Sequence, residues 1–397
     1  MITNILFKIK KVFPVLTEKL AYFWSDKRQL NLNLDLCDGS QKRVLISYIT
    51  LAGKDLSKIK HASYLHLNQM IHYFINCGYV VDVLCNDDIE AISLLKQNHY
   101  HVIIGFGKLY KLACLDLDAC LKICFITENN PEVVKKKYYD RVNYFKLRHP
   151  NINSKKAVPR NGYFDVEQFK LSDFGILMNS RYNSESFIPY FKKGLYLINS
   201  NAIYSDDFNN SNYLNIINIE HSKNNFLWLG SVGFIHKGLD LLLDTFRQIP
   251  EFQLDCYGVD NREKPLFNKL KCFNVSNCGF LNVLSRQFVN EVVIKHNFVI
   301  MPSCSEGMST SIATCMSYGL IPILTKECGF EETDNIIFLE DYKIESIKKI
   351  LIEVNSWSAE RVLNMRISCQ NYALEHFSLT KFSTTFKDIM DNIINKL

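Results

Sequence analysis

A glycine-bearing loop between a predicted strand and a predicted helix is the first place where the chain could do chemistry. Residues 229–238 read LGSVGFIHKG and are followed by leucines at helical spacing. Glycine lets backbone N–H groups approach a diphosphate closely, and Lys237 adds a positive charge at the start of the helix. The alternative is an ordinary surface turn with a solvated lysine, because the spacing matches neither a P-loop nor the dinucleotide fingerprint.

A second loop carries a carboxylate at the end of another apolar strand. Residues 298–323 predict a strand that ends at Pro302, a loop of small residues with Glu306, and a helix from near Met308 to Gly319. Glu306 would lie at the carboxyl end of the strand, where it can accept hydrogen bonds from sugar hydroxyls, and the adjacent N–H groups would hold an anion. Alternatively, Glu306 only caps the helix N-terminus.

Loops in the N-terminal half supply candidates for the opposite side of such a site. Gly53 follows the first strand of this half and, lacking a Cβ, would admit a diphosphate by close backbone approach. Glu128 is the only carboxylate that directly follows a clearly apolar strand there, so it could orient or deprotonate a hydroxyl. The alternative for Glu128 is a helix cap or a surface carboxylate.

Short apolar strands that alternate with helical segments must position these loops, which is the pattern of an α/β protein with parallel sheets. One series begins near Val44, an Asn-rich stretch at residues 205–225 indicates an exposed connection, and a second series begins at Phe226. We therefore expect two Rossmann-like, doubly wound domains facing across a cleft, with ligands at the carboxyl ends of the strands. The expected divisions are a basic amphipathic segment (1–40), an N-terminal domain (41–215), a C-terminal domain (216–378) and a terminal helix that packs back on the N-terminal domain (379–397).

Composition excludes several classes of protein. The 397 residues are 47% hydrophobic and 22% charged, which is typical of a globular chain, and no stretch is long and apolar enough to predict a membrane span. The net charge of +5 is too small to indicate a nucleic-acid-binding protein. The 13 cysteines lie in apolar runs without metal-ligand spacing, so we expect a reducing cytoplasm and no structural zinc site. No metal and no bound cofactor are expected in the functional site either.

Two basic regions suggest contact with an anionic membrane surface. Residues 1–30 place apolar side chains at helical spacing and carry six basic against two acidic residues. Residues 131–160 carry nine basic against two acidic residues. The alternatives are a helix packed on the domain for the first region and a solvated helix face for the second.

Taken together, the motifs of residues 225–330 resemble the donor-binding domain of family 4 glycosyltransferases (glycosyl transferases group 1), which have the GT-B fold. The motifs that carry the resemblance are Gly230 to Gly238, Tyr257-Gly258, Asn277 to Phe280 before a Ser285 helix, Pro302 to Gly307, and Met316 to Pro322. The N-terminal half is similar to the family only in the order of its strands and helices.

The resemblance implies metal-independent transfer of a hexosyl group from a nucleotide diphosphate sugar, with retention of anomeric configuration. Lys237 matches the lysine that contacts the donor diphosphate, and Glu306 matches the first glutamate of the family's Glu-x7-Glu pattern, which holds sugar hydroxyls. Glu306, Lys237 and Glu128 are the expected catalytic residues. The expected donor-binding residues are Gly53, Gly230, Ser231, Gly233, His236, Lys237, Gly258, Ser305, Glu306, Gly307, Met308, Ser309, Thr310 and Thr314.

Two positions depart from the family pattern. Thr314 replaces the second glutamate, which binds ribose hydroxyls in the family, and Ser231 replaces a frequent arginine. Neutralisation of the diphosphate then depends more heavily on Lys237, with His236, Arg262 and Lys326 as further candidates.

The resulting interpretation is a cytoplasmic glycosyltransferase, peripheral on the inner face of the cell membrane, that builds a surface polysaccharide or glycolipid. Its partners would be a nucleotide-sugar donor and a glycan or lipid-linked acceptor, and no nucleic acid. Alternatives are a nucleotide-sugar epimerase or a phosphorylase on the same fold, although no pyridoxal-binding motif is visible, and a degenerate sugar-nucleotide-binding subunit, for which Thr314 is the main argument.

Overall fold

The fold is seen in a computed structural model, which describes residues 27–33, 42–51, 61–154, 157, 162–205, 214 and 217–396. Two sheets, one from each half of the chain, each carry helices on their faces. The predicted α/β architecture of two Rossmann-like domains across a cleft is confirmed.

The N-terminal sheet has seven strands in the order β1-β3-β2-β4-β5-β6-β7. Its strands are β1 (Arg28–Leu32), β2 (Arg43–Tyr48), β3 (Val80–Cys85), β4 (Tyr100–Gly105), β5 (Ala119–Ile126), β6 (Phe174–Leu177) and β7 (Leu195–Leu197). All neighbours are parallel except the edge strand β1, which is antiparallel to β3. The helices of this half are α1 (Ala62–Asn76), α2 (Ile92–Leu95), α3 (Gly107–Asp116), α4 (Pro131–Arg148), α5 (Val166–Lys170) and α6 (Arg181–Ser184), with a short 3₁₀ turn at Ile89–Ala91.

The C-terminal sheet has six parallel strands in the order β10-β9-β8-β11-β12-β13. These are β8 (Asn225–Leu229), β9 (Gln253–Tyr257), β10 (Val275–Gly279), β11 (Phe298–Met301), β12 (Ile321–Leu324) and β13 (Ile337–Phe338). The helices are α7 (Leu239–Gln248), α8 (Lys264–Leu270), α9 (Arg286–Phe288), α10 (Thr310–Ser317), α11 (Ile344–Asn355), α12 (Ala359–His376) and α13 (Leu379–Ile394), with a π turn at Val289–Val293 and a 3₁₀ turn at Lys326–Cys328.

The strand order of each sheet reverses at one point, and this fixes where a ligand can bind. In the C-terminal sheet the reversal lies between β8 and β11, whose side chains are mostly buried because helices cover both faces. Loops that leave two neighbouring parallel strands in opposite directions open a crevice at the carboxyl ends. The glycine-bearing loop follows β8 and the Glu306 loop follows β11, so the topology brings the two predicted motifs together.

Helix α4 joins the two halves, although it follows β5 of the N-terminal sheet. Phe145 is fully buried among apolar side chains of the C-terminal core. Arg148 at the end of α4 forms ion pairs with Asp240 and Asp244 on α7, and His149 Nε2 lies 2.7 Å from Asp244 Oδ2.

The last helix crosses back to the N-terminal half. The hydroxyl of Tyr73 on α1 donates a 2.8 Å hydrogen bond to Asp391 on α13, and the His66 ring stacks on Phe382 at a centroid distance of 4.3 Å. Ser378 caps α13 by accepting from Lys381 N–H. Residues of α13 therefore complete the core of the N-terminal half.

The N-terminal prediction is corrected where the structure describes it. Of the helix expected over residues 1–30, positions 28–30 belong to the edge strand β1, because Arg28 forms an ion pair with Asp88 and Asn31 N–H donates to Asp82. Residues 1–26 lie outside the described residues, as does most of the predicted 1–40 segment. Within the described ranges, no helix combines the length and apolar character needed to cross a membrane.

Candidate active site

A cavity of about 980 Å³ lies between the carboxyl ends of the two sheets. Most of the residues expected to bind the donor or act in catalysis line it. They are Glu128, Gly230, Ser231, Lys237, Glu306, Gly307, Met308, Ser309, Thr310 and Thr314. Gly53 lies outside the described residues.

Lys237 and Glu306 form a buried ion pair in the lining of this cavity. Lys237 Nζ lies 2.5 Å from Glu306 Oε1, and the side chains are only 8% and 5% exposed. The hydroxyl of Ser303 donates a second hydrogen bond to Glu306 Oε1 at 3.0 Å. A buried carboxylate needs such partners because desolvation penalises an uncompensated charge. The two side chains that were expected to contact the donor thus bind each other in this structure.

The glycine loop after β8 is shaped by close packing. A Cβ on Gly230 would lie 2.4 Å from the Trp228 ring, and Gly233 has φ +115°, which disfavours other residues. However, Gly233 N–H and Phe234 N–H donate to the buried carboxylate of Glu263 at 3.1 and 2.9 Å. The N–H group of Gly233, which was expected to bind the donor as part of this loop, is therefore occupied by an internal carboxylate in this structure.

The loop after β11 is fixed by main-chain bonds to both halves. Met308 N–H donates to Met178 O at 3.0 Å, and Ser309 N–H donates to Cys328 O at 3.2 Å. A Cβ on Gly307 would lie 2.1 Å from Thr127 O of the N-terminal half, so only glycine permits this approach. Among the N–H groups adjacent to Glu306 that were expected to hold an anion, those of Met308 and Ser309 are already bonded to main-chain carbonyls.

His236 and Ser305 face a different space from the one expected. Both line a smaller neighbouring cavity of about 250 Å³ and not the larger one. His236 Nε2 donates to the carbonyl of Ser305, and its Nδ1 lies 3.6 Å from Cys304 Sγ. Burial raises the pKa of the Cys304 thiol to about 12, so it remains protonated and can donate. His236 therefore ties the β8 and β11 loops together.

Gly258 and Thr314 have packing roles. Gly258 has φ +84°, and a Cβ there would lie 2.1 Å from Gly230 O, so it brings the β9 loop against the glycine loop rather than lining the cavity. Thr314 lines the cavity, but its Oγ1 accepts a 3.0 Å hydrogen bond from Ile203 N–H in the connection between the halves.

Glu128 follows β5 and lines both cavities. Its Oε2 accepts a 3.1 Å hydrogen bond from Tyr163 N–H. Because Gly307 packs on Thr127, the Glu128 side chain and the Glu306 loop meet where the halves touch. This position suits a group that orients an acceptor hydroxyl.

The N-terminal wall adds residues that the sequence did not single out. These are Tyr48, His61 and His66, whereas Arg262, which the sequence suggested as a further cation, lines the cavity from the C-terminal side. Burial lowers the pKa of His66 to about 3 and also lowers the pKa of His61. His66 is therefore neutral at physiological pH. His61 precedes α1 and could have been noticed as a helix start, whereas His66 carries no local signal.

The basic stretch at residues 131–160 is less available than its charge suggests. Arg141 donates to the carbonyl of Pro302, Arg148 pairs with α7, and Lys137 Nζ lies 2.8 Å from Glu327 Oε1. Lys155, Lys156 and Arg160 lie outside the described residues. A solvated face therefore exists only for part of α4, where Lys135, Lys136 and Lys146 are exposed.

In the portion of the chain that the structure describes, no group of three or more His, Cys, Asp or Glu side chains is arranged to hold a metal ion. The described cysteines are free thiols.

Comparison with known proteins gives a family match within the C-terminal half and a fold match over most of the chain. Residues 223–354, about a third of the chain, match the family Glycosyl transferases group 1, which confirms the resemblance over this region. Sequence comparison with curated proteins gives no significant match.

Solved structures with the GT-B glycosyltransferase fold are similar over most of the chain. The crystal structure of Anabaena Alr3699/HepE in complex with UDP and glucose has a TM-score of 0.57 and 12% identity, and the match covers 89% of this chain and 100% of that one. Sucrose-phosphate synthase from Thermosynechococcus elongatus has a TM-score of 0.58 and 14% identity, with 90% and 100% covered. The predicted GT-B fold is thus confirmed.

Proposed function

We propose that the protein is a retaining, metal-independent glycosyltransferase that moves a hexosyl group from a nucleotide diphosphate sugar to a glycan or lipid-linked acceptor. The observation that carries the proposal is the Lys237–Glu306 pair at the reversal point of the C-terminal sheet, inside a 980 Å³ cavity that the N-terminal half closes with Glu128. The family match of residues 223–354 and the UDP bound by Alr3699/HepE support a nucleotide-sugar donor.

In this proposal the bond between the anomeric carbon and the diphosphate oxygen breaks, and its electron pair stays on the diphosphate. Lys237 compensates the charge that develops there, which is the kind of contact that strengthens in a transition state. Glu306 accepts hydrogen bonds from sugar hydroxyls, and Glu128 orients the acceptor hydroxyl. The acceptor oxygen forms the new bond to the anomeric carbon on the face that the diphosphate leaves, and its proton passes to Glu128 or to the departing phosphate. Donor binding must therefore exchange the Lys237–Glu306 contact for contacts to substrate.

We further propose that the enzyme works at the inner face of the cell membrane in surface polysaccharide or glycolipid assembly. The support is the basic N-terminal sequence together with exposed Lys135, Lys136 and Lys146 on α4.

The test is a thermal-shift panel of UDP, GDP, ADP, CMP and TDP and their common sugars, followed by release of nucleotide from the donor that binds. A ligand at a hundred times its dissociation constant should stabilise the fold by about 2.7 kcal/mol. Glu306→Ala and Lys237→Ala should each lower turnover at least about a hundredfold, because electrostatic contacts to developing charge are typically worth that much. Lys326→Ala, which removes a lysine outside the cavity lining, is the control.

Wild-type turnover in both cavity variants would contradict the site assignment. Nucleotide binding without turnover for any donor and acceptor would favour a binding subunit over an enzyme.

A further inference from the structure

Few positive side chains line the large cavity that could compensate a bound diphosphate. Among its described lining residues the basic side chains are Lys237 and Arg262, and Lys237 already binds Glu306. The lining also holds His61 and His66, but burial lowers the pKa of both, so they favour the neutral form. A diphosphate binds more tightly in such a site when more than one positive group compensates its charge.

The backbone at Arg262 is fixed against the glycine loop. The adjacent Glu263 accepts the N–H groups of Gly233 and Phe234. Earlier in the same turn, Gly258 packs directly on the carbonyl of Gly230. Arg262 therefore lies at the cavity edge because two independent contacts hold its turn against the β8 loop.

The side chain of Arg262 is oriented before any ligand arrives. Asp260 accepts from Arg262 N–H at 2.9 Å, from Nε at 2.8 Å and from Nη2 at 3.1 Å. Among the described contacts, none uses the two N–H donors of Nη1, and the Arg262 side chain is 63% exposed. A guanidinium fixed on one edge presents its other edge in the geometry that suits phosphate oxygens.

The two other cations that the sequence suggested are placed differently. His236 donates its Nε2 proton to Ser305 O and lines the smaller cavity. Lys326 pairs with Glu332 on the surface and does not line the large cavity. Of these three candidate cations, Arg262 is the one that lines the large cavity.

We propose that Arg262 binds the diphosphate of the donor through Nη1 and shares with Lys237 the neutralisation of the leaving group. This inference rests on the proposed function, because it assigns a ligand contact within the same cavity. Arg262 recognises the phosphates and not the nucleoside, so its contribution extends to any ligand with a diphosphate group.

The experiment measures dissociation constants by calorimetry for the nucleoside diphosphate that stabilises the wild type, for the matching nucleoside, and for inorganic pyrophosphate. Arg262→Ala should weaken binding of the diphosphate and of pyrophosphate about tenfold or more, because a charge-assisted contact is lost, and should leave nucleoside binding unchanged. The control is Lys269→Ala, which removes an exposed cation from α8, away from the cavity lining.

A rescue variant separates a lost charge from a disturbed turn. Ser231 is exposed and lines the same cavity, so an arginine there can extend toward the same phosphates. Ser231→Arg in the Arg262→Ala background should restore most of the diphosphate affinity and its decrease with added salt.

Three results would overturn the inference: unchanged diphosphate binding in Arg262→Ala, an equal loss for the nucleoside, or failure of the rescue variant. If the wild type binds a nucleoside diphosphate and Arg262→Ala binds it equally well, only the role of Arg262 falls. If the wild type binds no nucleoside diphosphate and no pyrophosphate, the proposed function falls with it.

Discussion

The effects of substituting Lys237 and Glu306 on the free energy of unfolding should be strongly coupled. An uncharged pair at these positions should restore stability but not catalysis. The perturbation is a double-mutant cycle of Lys237→Met, Glu306→Gln and both together, which keeps side-chain size while removing charge. Each single variant leaves one buried charge without its partner, a change that costs about 3–5 kcal/mol in other proteins. Because Glu306 keeps its hydrogen bond from Ser303 at 3.0 Å, we expect the lower end of that range for Lys237→Met.

The double variant buries no unpaired charge, so its free energy of unfolding should recover. A double variant that is more stable than either single variant corresponds to a coupling energy of about 3 kcal/mol or more, at or above the upper end of the range for directly contacting residues. The coupling energy is measured by urea unfolding of the full chain, monitored by far-UV circular dichroism. It is taken from the unfolding transition that the single substitutions shift. The same cycle on Lys326 and Glu332, an ion pair whose side chains are 45% and 71% exposed, should give no measurable coupling.

Nucleotide release distinguishes the two roles of the pair. If Lys237 and Glu306 contact substrate, turnover should stay at least about a hundredfold below wild type in the double variant even though its stability recovers. Additive effects on stability would refute the buried ion pair. Recovery of turnover together with stability would refute the catalytic assignment and make the pair purely structural.

Two further predictions concern the walls of the cavity. Because burial lowers the pKa of His66 to about 3 while the unfolded chain retains a value near 6.5, only the unfolded state binds a proton as the pH falls between these values. The free energy of unfolding should therefore decrease by up to about 1.4 kcal/mol per pH unit below pH 6.5, and His66→Gln should lose this component; equal pH slopes for both proteins would contradict it. Thr314→Val should destabilise the fold by about 1–3 kcal/mol, because Ile203 N–H loses its acceptor, whereas Thr314→Ser should keep it; a urea midpoint for Thr314→Val equal to that of wild type would contradict this bond.

The sequence predicted those features in which a chemically active residue directly follows the strand that positions it. Strands such as β2 and β11 are short apolar runs that end in turns, so their order predicts the sheets and the point of reversal. Lys237 and Glu306 each follow such a strand, and the topology then requires them to lie near each other. The edge strand β1 was missed, although Leu30 and Leu32 alternate with Gln29 and Asn31, because residues 28–30 were assigned to the helix predicted over residues 1–30.

The remaining features of the site depend on distant partners. Glu263 looks like any acidic residue near a turn, yet it accepts two N–H groups from a loop thirty positions earlier. Arg141 and Arg148 contribute to an apparent basic surface, but their partners on Pro302 and α7 follow them by more than ninety positions. Thr314 suggests a lost ribose contact, while its oxygen serves the connection between the halves. None of these contacts has a period or spacing that could reveal it.

The packing of α4 has a consequence for how this chain can be dissected. Phe145 belongs to the C-terminal core, and Arg148 compensates Asp240 and Asp244. A fragment that starts after the connection would therefore carry an apolar hole and lack Arg148 at both carboxylates, of which Asp244 keeps its ion pair with Arg247. The position at which the sequence divides into two halves therefore differs from the boundary of the unit that folds cooperatively. Chimeras that exchange the donor-side half between related enzymes need to move α4 with it, although α4 is encoded in the other half.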